Sequence, residues 1–108
     1  MMPQDSVYGG WPASGEIDIF EGRGQNPQDT ESTIHYGAIP CCANHRYTGS
    51  GPRNMGVSIT DQFHTYRVDW TPTKMTFFFD GQPYWNVSID KIMQDPFYKE
   101  KGQPFDQV

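Results

Sequence analysis

An all-β fold follows from three observations on these 108 residues. Strand formers supply the apolar set: 7 Ile, 5 Val, 7 Phe, 6 Tyr and 3 Trp, with no Leu anywhere. Branched and aromatic side chains of this kind suit a pleated, half-buried surface. Gly and Pro, 11 and 9 of them, punctuate the chain at short intervals, as a fold of many turns requires. Asp80-Gly81 stands between two apolar runs and is a strong signal for a two-residue hairpin turn. No long helical period competes with these signals.

The elements can be read in order. Residues 3–14 form a loop, and 15–22 a strand with a half-apolar, half-acidic pattern. Residues 23–31 read as a polar loop around Asn26-Pro27, and 32–36 as a second strand. The stretch 38–54 is rich in Gly, Pro and small residues, so it reads as one long loop of disordered composition. Loops of that length are often functional in enzymes that bind polymers. A weak strand is expected at 55–59. Residues 62–70 alternate well, with Phe63, Thr65, Arg67 and Asp69 on one side and His64, Tyr66, Val68 and Trp70 on the other. His64 and Trp70 are therefore expected to pack inward. After a turn at 71–73, the runs 74–79 and 82–89 pair as a hairpin. A short helix is expected over 89–98, then a loop.

The run Glu16-Ile17-Asp18-Ile19-Phe20-Glu21 is the most informative part of the chain. Three carboxylates fall within six residues, and every residue between them is bulky and apolar. Alternation puts Glu16 and Asp18 on one face and Ile17 and Ile19 on the other. Strict alternation would also send Glu21 into the core, where an unpaired Glu is almost never found. One extra residue at Ile19-Phe20, a β-bulge, returns Glu21 to the acidic face and sends Phe20 into the core with Ile19. Bulges recur beside active sites because they re-aim a side chain. Glu16 and Glu21 then lie about four strand steps apart, roughly 13 Å between Cα atoms, and leaning side chains can close much of that gap. Carboxyl groups brought ~5–5.5 Å apart would suit a retaining cleavage of a glycosidic bond.

Tyr8-Gly9-Gly10-Trp11-Pro12-Ala13-Ser14-Gly15 leads into this strand, and Gly22-Arg23-Gly24-Gln25-Asn26 leaves it. The whole resembles the active-site segment of glycoside hydrolase family 16. Within that family it is most similar to the endo-β-1,3-glucanases (laminarinases) and the related β-1,3-glucan recognition proteins, whose pattern is W-P-x-S-G-E-I-D-I-x-E-x-R-G-N. Every fixed letter matches through Arg23-Gly24, and Gln25 is inserted before Asn26. Thr33-Ile34-His35-Tyr36-Gly37 and Phe63–Pro72 also resemble the family. The resemblance implies a concanavalin-like jelly-roll β-sandwich. It implies Glu16 as nucleophile, Glu21 as general acid/base, and Asp18 between them tuning Glu16. It implies hydrolysis of internal β-1,3-glucosidic bonds by double displacement, with no cofactor. The alternative is a glucan-binding recognition protein without catalysis, but such proteins commonly lack the two Glu residues. Trp11 is a candidate for stacking on a sugar ring, His35 for a hydrogen bond to sugar hydroxyls, and Arg23 and Asn26 for further substrate contacts. Arg23 could also pair with a catalytic carboxylate.

Family domains of this kind run to roughly twice the present length, so residues 1–108 read as the central part of one catalytic domain, with strands missing at both ends. A net charge of −5 argues against nucleic acid and anionic membrane as partners. No apolar run is long enough to span a bilayer. The expected partner is β-glucan polysaccharide, acted on by a monomer when the domain is complete, and the resemblance implies an extracellular parent protein. A zinc site from His35, Cys41, Cys42 and His45 lacks the usual C-x₂-C spacing, so no metal is expected. Adjacent Cys41 and Cys42 are more often paired with partners elsewhere than with each other. A sandwich lacking strands exposes edges and apolar faces. The 108 residues alone are therefore expected to aggregate or stay partly disordered, and to release no reducing sugar from laminarin. A 108-residue monomer that unfolds cooperatively in urea and cuts laminarin at an enzyme's rate would overturn that expectation.

Overall fold

The computed structural model describes residues 1–38, 43–101 and 104–106. Two antiparallel sheets face each other. The first contains β1 (Glu16–Gly22), β2 (Asp29–Gly37), β3 (His45–Gly49) and β4 (Arg53–Asn54); β2 pairs with β1 along one edge and with β3 and β4 along the other. The second is the meander β5 (Tyr66–Trp70), β6 (Lys74–Phe79) and β7 (Gln82–Ser88). Two short helices follow, α1 (Asp90–Met93) and α2 (Pro96–Lys101). No helix among the described residues is long and apolar enough to cross a membrane.

Alternation explains the core. Ile17 and Ile34 are register partners on β1 and β2, and both are buried. Met75, Phe77 and Phe79 take every second position of β6 and are buried; Met75 and Phe77 meet that pair from the other sheet, while Thr76 and Phe78 face away. Val87, Ile89, Ile92, Tyr98 and Phe105 complete the cluster. On β5, Tyr66, Val68 and Trp70 are partly covered while Arg67 and Asp69 are exposed, as the pattern predicts. Trp70 packs against the core and donates its indole N–H to the Phe105 carbonyl at 2.8 Å. The His64 side chain is 2% exposed, held between Asp80 and the Phe79 ring. The hairpin turn is as expected: Asp80 and Gly81 both have positive φ, 46° and 80°, as a type I′ turn demands. Pro83 sits where β7 slips register against Phe77 and Phe78, a site that can spare a ladder donor.

Several elements differ from the sequence reading. The region 38–54 is not one long loop, since it contains β3 and β4. Its strand pattern is hidden because β3, His45-Arg46-Tyr47-Thr48-Gly49, buries none of its residues fully. The second strand begins at Asp29 rather than 32, because Asp29 and Thr30 pair with Asn54 and Arg53. No strand forms at 55–59, where Met55 and Ile59 instead donate backbone N–H groups to the Gln28 and Pro27 carbonyls. The strand expected from 62 begins at Tyr66, and Phe63 is fully exposed. The single helix expected over 89–98 is two, split at Asp95, whose carboxylate accepts the Phe97 backbone N–H at 3.0 Å. Cys41 and Cys42 lie outside the described residues.

Tyr98 ties these parts together. Its buried hydroxyl accepts the Gly37 N–H at 2.7 Å and faces the Ala13 and Gly37 carbonyls at 3.0 and 3.1 Å. Burial pushes its pKa up to about 12, so it stays a neutral donor. One phenol therefore joins α2, the end of β2 and the loop before β1. Replacing Tyr98 with Phe leaves these backbone groups without their partner in a buried site. The expected cost is about 1–3 kcal/mol, read as a lower urea midpoint. An unchanged midpoint would show that water or backbone movement replaces the hydroxyl.

Candidate active site

The bulge in β1 is present. Register with β2 runs Glu16 to His35, Ile17 to Ile34 and Asp18 to Thr33, then shifts, resuming at Glu21 opposite Glu31. Ile19 turns toward the core. Its carbonyl accepts the Ser32 hydroxyl at 2.8 Å, and the Tyr84 hydroxyl from the second sheet meets Ser32 Oγ in turn. The backbone acceptor at the break in the ladder is thereby satisfied. Phe20 corrects the sequence reading. It packs on Tyr66, with ring centroids 4.4 Å apart, yet remains 46% exposed. It reaches the second sheet near the mouth of the sandwich rather than joining the central core.

The bulge brings all three carboxylates to the open face. Thr33 and His35, alternate residues of β2, reach them from the neighbouring strand. Thr33 donates its hydroxyl to Glu21 Oε2 at 2.6 Å, and His35 Nε2 lies 3.1 Å from Asp18 Oδ2. Trp11 reaches Glu16 from the preceding loop, donating its indole N–H to Oε2 at 2.7 Å. That loop is fixed by Ser14, whose hydroxyl donates to the Gly9 carbonyl at 2.6 Å and accepts the Tyr8 N–H at 3.1 Å. Gly15 follows at φ 81°, where a Cβ would strike the Phe105 ring at 2.8 Å. Glycine is thus required immediately before Glu16 for both conformation and space.

The electrostatics centre on Asp18. Burial raises its pKa above the ordinary carboxyl value, and the charges of Glu16 and then Glu21 raise it further, while His35 opposes them. The ligand atoms of Glu16, Asp18 and His35 lie within 4.8 Å of one another. Each of these groups already holds a protein partner, so the cluster carries no metal assignment.

Glu16, Asp18, Glu21, Trp11 and His35 are therefore brought together. Arg23 and Asn26 are not part of that cluster. Arg23 pairs with Glu31 at 3.7 Å rather than with Glu16, Asp18 or Glu21, because the end of β1 sets it beside the outer part of β2. Both residues do line a groove of about 400 Å³ that continues from Glu21 along Phe20, Gly22 and Glu31. The sequence reading missed Thr33 and His45 as partners of the site. Thr33 was accessible from alternation, two residues before His35. His45 lies in the segment read as loop, yet its Nε2 stands 2.7 Å from His35 Nδ1 and its ring 4.8 Å from Trp11.

Comparison with known proteins gives a consistent result. The family model described as glycosyl hydrolases family 16 matches residues 2–105. A glucan endo-1,3-beta-glucosidase from Cryptopygus antarcticus is 45% identical over 107 residues, covering 99% of this chain and 39% of that protein. A beta-1,3-glucan-binding protein from Penaeus monodon is 34% identical over 125 residues, covering 99% of this chain and 34% of that protein. The laminarinase from Rhodothermus marinus superposes with a TM-score of 0.74 at 29% identity, over 98% of this chain and 41% of that one. The two sheets thus correspond to part of a jelly-roll β-sandwich, and the chain spans only about two fifths of the first relative's length.

The raised pKa of Asp18 has a thermodynamic consequence. Folded Asp18 holds its proton to higher pH than the unfolded chain, whose value is near 3.8. Stability therefore falls as pH rises from there through the folded-state value. Asp18→Asn removes this loss while keeping an oxygen acceptor for His35. In the full-length protein its urea midpoint should exceed the wild type's at neutral pH, and the gap should close on acidification below the unfolded value. A lower midpoint at neutral pH would show that the bond between His35 and a charged carboxylate outweighs the burial cost.

Proposed function

We propose, because this chain belongs to glycosyl hydrolases family 16, that the full-length protein hydrolyses internal β-1,3-glucosidic bonds of β-glucan with retention of configuration. The observation that carries this reading is the bulge, which puts Glu16, Asp18 and Glu21 on one face with a separate partner for each: Trp11, His35 and Thr33.

Glu16 acts as nucleophile. The Trp11 N–H occupies Oε2 and steadies the carboxylate, leaving Oε1 for attack at the anomeric carbon. Glu21 acts as general acid. Thr33 holds its Oε2, so the other oxygen delivers a proton to the departing glycosidic oxygen. The first step forms a glycosyl ester on Glu16. In the second, Glu21 takes a proton from water, and the water oxygen displaces Glu16 from the sugar. Asp18, charged or neutral, adjusts the field between the two. The groove past Glu21, lined by Arg23 and Asn26, would receive sugar residues on the leaving-group side.

A second reading has one specific observation behind it, the 34% identity to a beta-1,3-glucan-binding protein. It predicts binding without turnover. Reducing-end release from laminarin by the full-length protein separates the two. Under the enzyme reading, Glu16→Gln and Glu21→Gln each lower laminarin turnover by roughly a thousandfold or more, with glucan binding still measurable. Azide should restore turnover to Glu16→Ala and give product of inverted configuration. Undiminished hydrolysis by both Gln variants would sink the mechanism.

A further inference from the structure

Three strands contribute to a line of hydrogen bonds behind the carboxylates. Asp18 Oδ2 on β1 lies 3.1 Å from His35 Nε2 on β2. His35 Nδ1 lies 2.7 Å from His45 Nε2 on β3. An N···N separation of that length needs an N–H on one ring and a lone pair on the other. A neutral imidazole carries one of each, so the line has two consistent settings. When Asp18 is ionised, His35 donates Nε2–H to it, and His45 donates Nε2–H to His35 Nδ1. When Asp18 is protonated, its O–H donates to His35 Nε2, His35 donates Nδ1–H to His45 Nε2, and His45 carries its proton on Nδ1. The second setting holds one proton more than the first. That proton enters at His45 Nδ1, and each proton along the line then shifts one place toward Asp18.

We propose that His45 is a positioning residue for hydrolysis: by accepting or donating at Nε2, it holds the His35 ring in line with Asp18 in both protonation states of that carboxyl group. The inference rests on the glycosidase reading above. Without a partner at Nδ1, the His35 ring loses the hydrogen bond that fixes it opposite Asp18, for which it is the only ion-pair partner among the described residues. Asp18 is the group between Glu16 and Glu21, so its drift changes the field at both.

The surroundings single out His45 for this role. From β1, the line is faced by Glu16, Asp18 and Glu21. From the loop comes the uncharged Trp11 ring, 4.8 Å from His45 and 6.3 Å from His35. From β3 comes Tyr47, whose ring lies 6.0 Å from each imidazole. The adjacent cation Arg46 is committed to Asp95. An aromatic contact and a hydrogen bond therefore meet on His45, and two substitutions separate them. His45→Phe keeps a ring against Trp11 but cannot bond His35. His45→Gln loses the ring but can accept or donate.

In the full-length protein, His45→Phe should lower kcat on laminarin about tenfold, the scale of losing one hydrogen bond that serves a charged group, with KM within about twofold. His45→Gln should recover most of that kcat. The reverse order, an active Phe variant and a crippled Gln variant, would show that His45 serves only to pack Trp11 and would overturn the proposal. A second readout does not need turnover. In protein labelled with ¹⁵N in its histidine rings, a through-bond coupling between His35 Nδ1 and His45 Nε2 should be visible by NMR, and its absence would also overturn the proposal. A wild-type protein that releases no reducing ends would overturn the glycosidase reading and a role for His45 in turnover. The coupling would still report on the hydrogen-bond line itself.

Discussion

A single hydroxyl, that of Ser32, makes the acidic strand possible. Between Asp18 and Glu21 the first strand carries more residues than its partner can pair, and an unpaired backbone carbonyl in a sheet costs as much as a lost hydrogen bond. Ser32 donates to the Ile19 carbonyl and is itself met by Tyr84 from the opposite sheet. Ser32 is fully buried, and its backbone N–H and carbonyl are both taken by Ser50. The irregularity is thus stitched to its own sheet and to the facing one. Everything on the open side follows: Glu21 turns outward, Thr33 can reach it, and Asp18 is left beside His35.

The same clamp explains why acidic groups can be crowded here. Burial, and then their mutual repulsion, raises the pKa of Asp18, and only a rigid frame can hold such an arrangement against relaxation. The frame consists of the buried Ile17 and Ile34 pair below and named donors above. Each carboxylate has one oxygen engaged by a neighbour. Positions are held by bonds that do not consume the atoms chemistry would use.

Much of this was legible in the sequence. The alternation of β5, the Asp80-Gly81 turn and the need for a bulge all follow from patterns of burial and charge local to a few residues. The acidic face and Trp11 carried a specific resemblance as well. Other features were hidden for physical reasons. The third strand has no fully buried residue, so its composition looks like loop although its backbone pairs with β2. Phe20 is large and apolar, yet its exposure depends on how far the second sheet extends beneath it, which no local pattern encodes. His45 was invisible as a partner of His35 because the two meet only through strand register, Gly37 opposite His45. Ser32 and Thr33 are small polar residues whose importance lies in where the neighbouring strand breaks.

Tyr98 carries a consequence for the order in which the molecule assembles. The β5–β6–β7 meander closes through short turns, so its contacts cost little loop entropy. The bonds of Tyr98 span 61 residues to Gly37 and 85 to Ala13. Contacts of such separation carry a larger loop-closure cost. During synthesis they cannot form at all until residue 98 has left the ribosome. The loop that brings Trp11 onto Glu16 therefore takes an anchor from a helix 85 residues away, and the outer side of the acidic strand is organised by a segment made long after it.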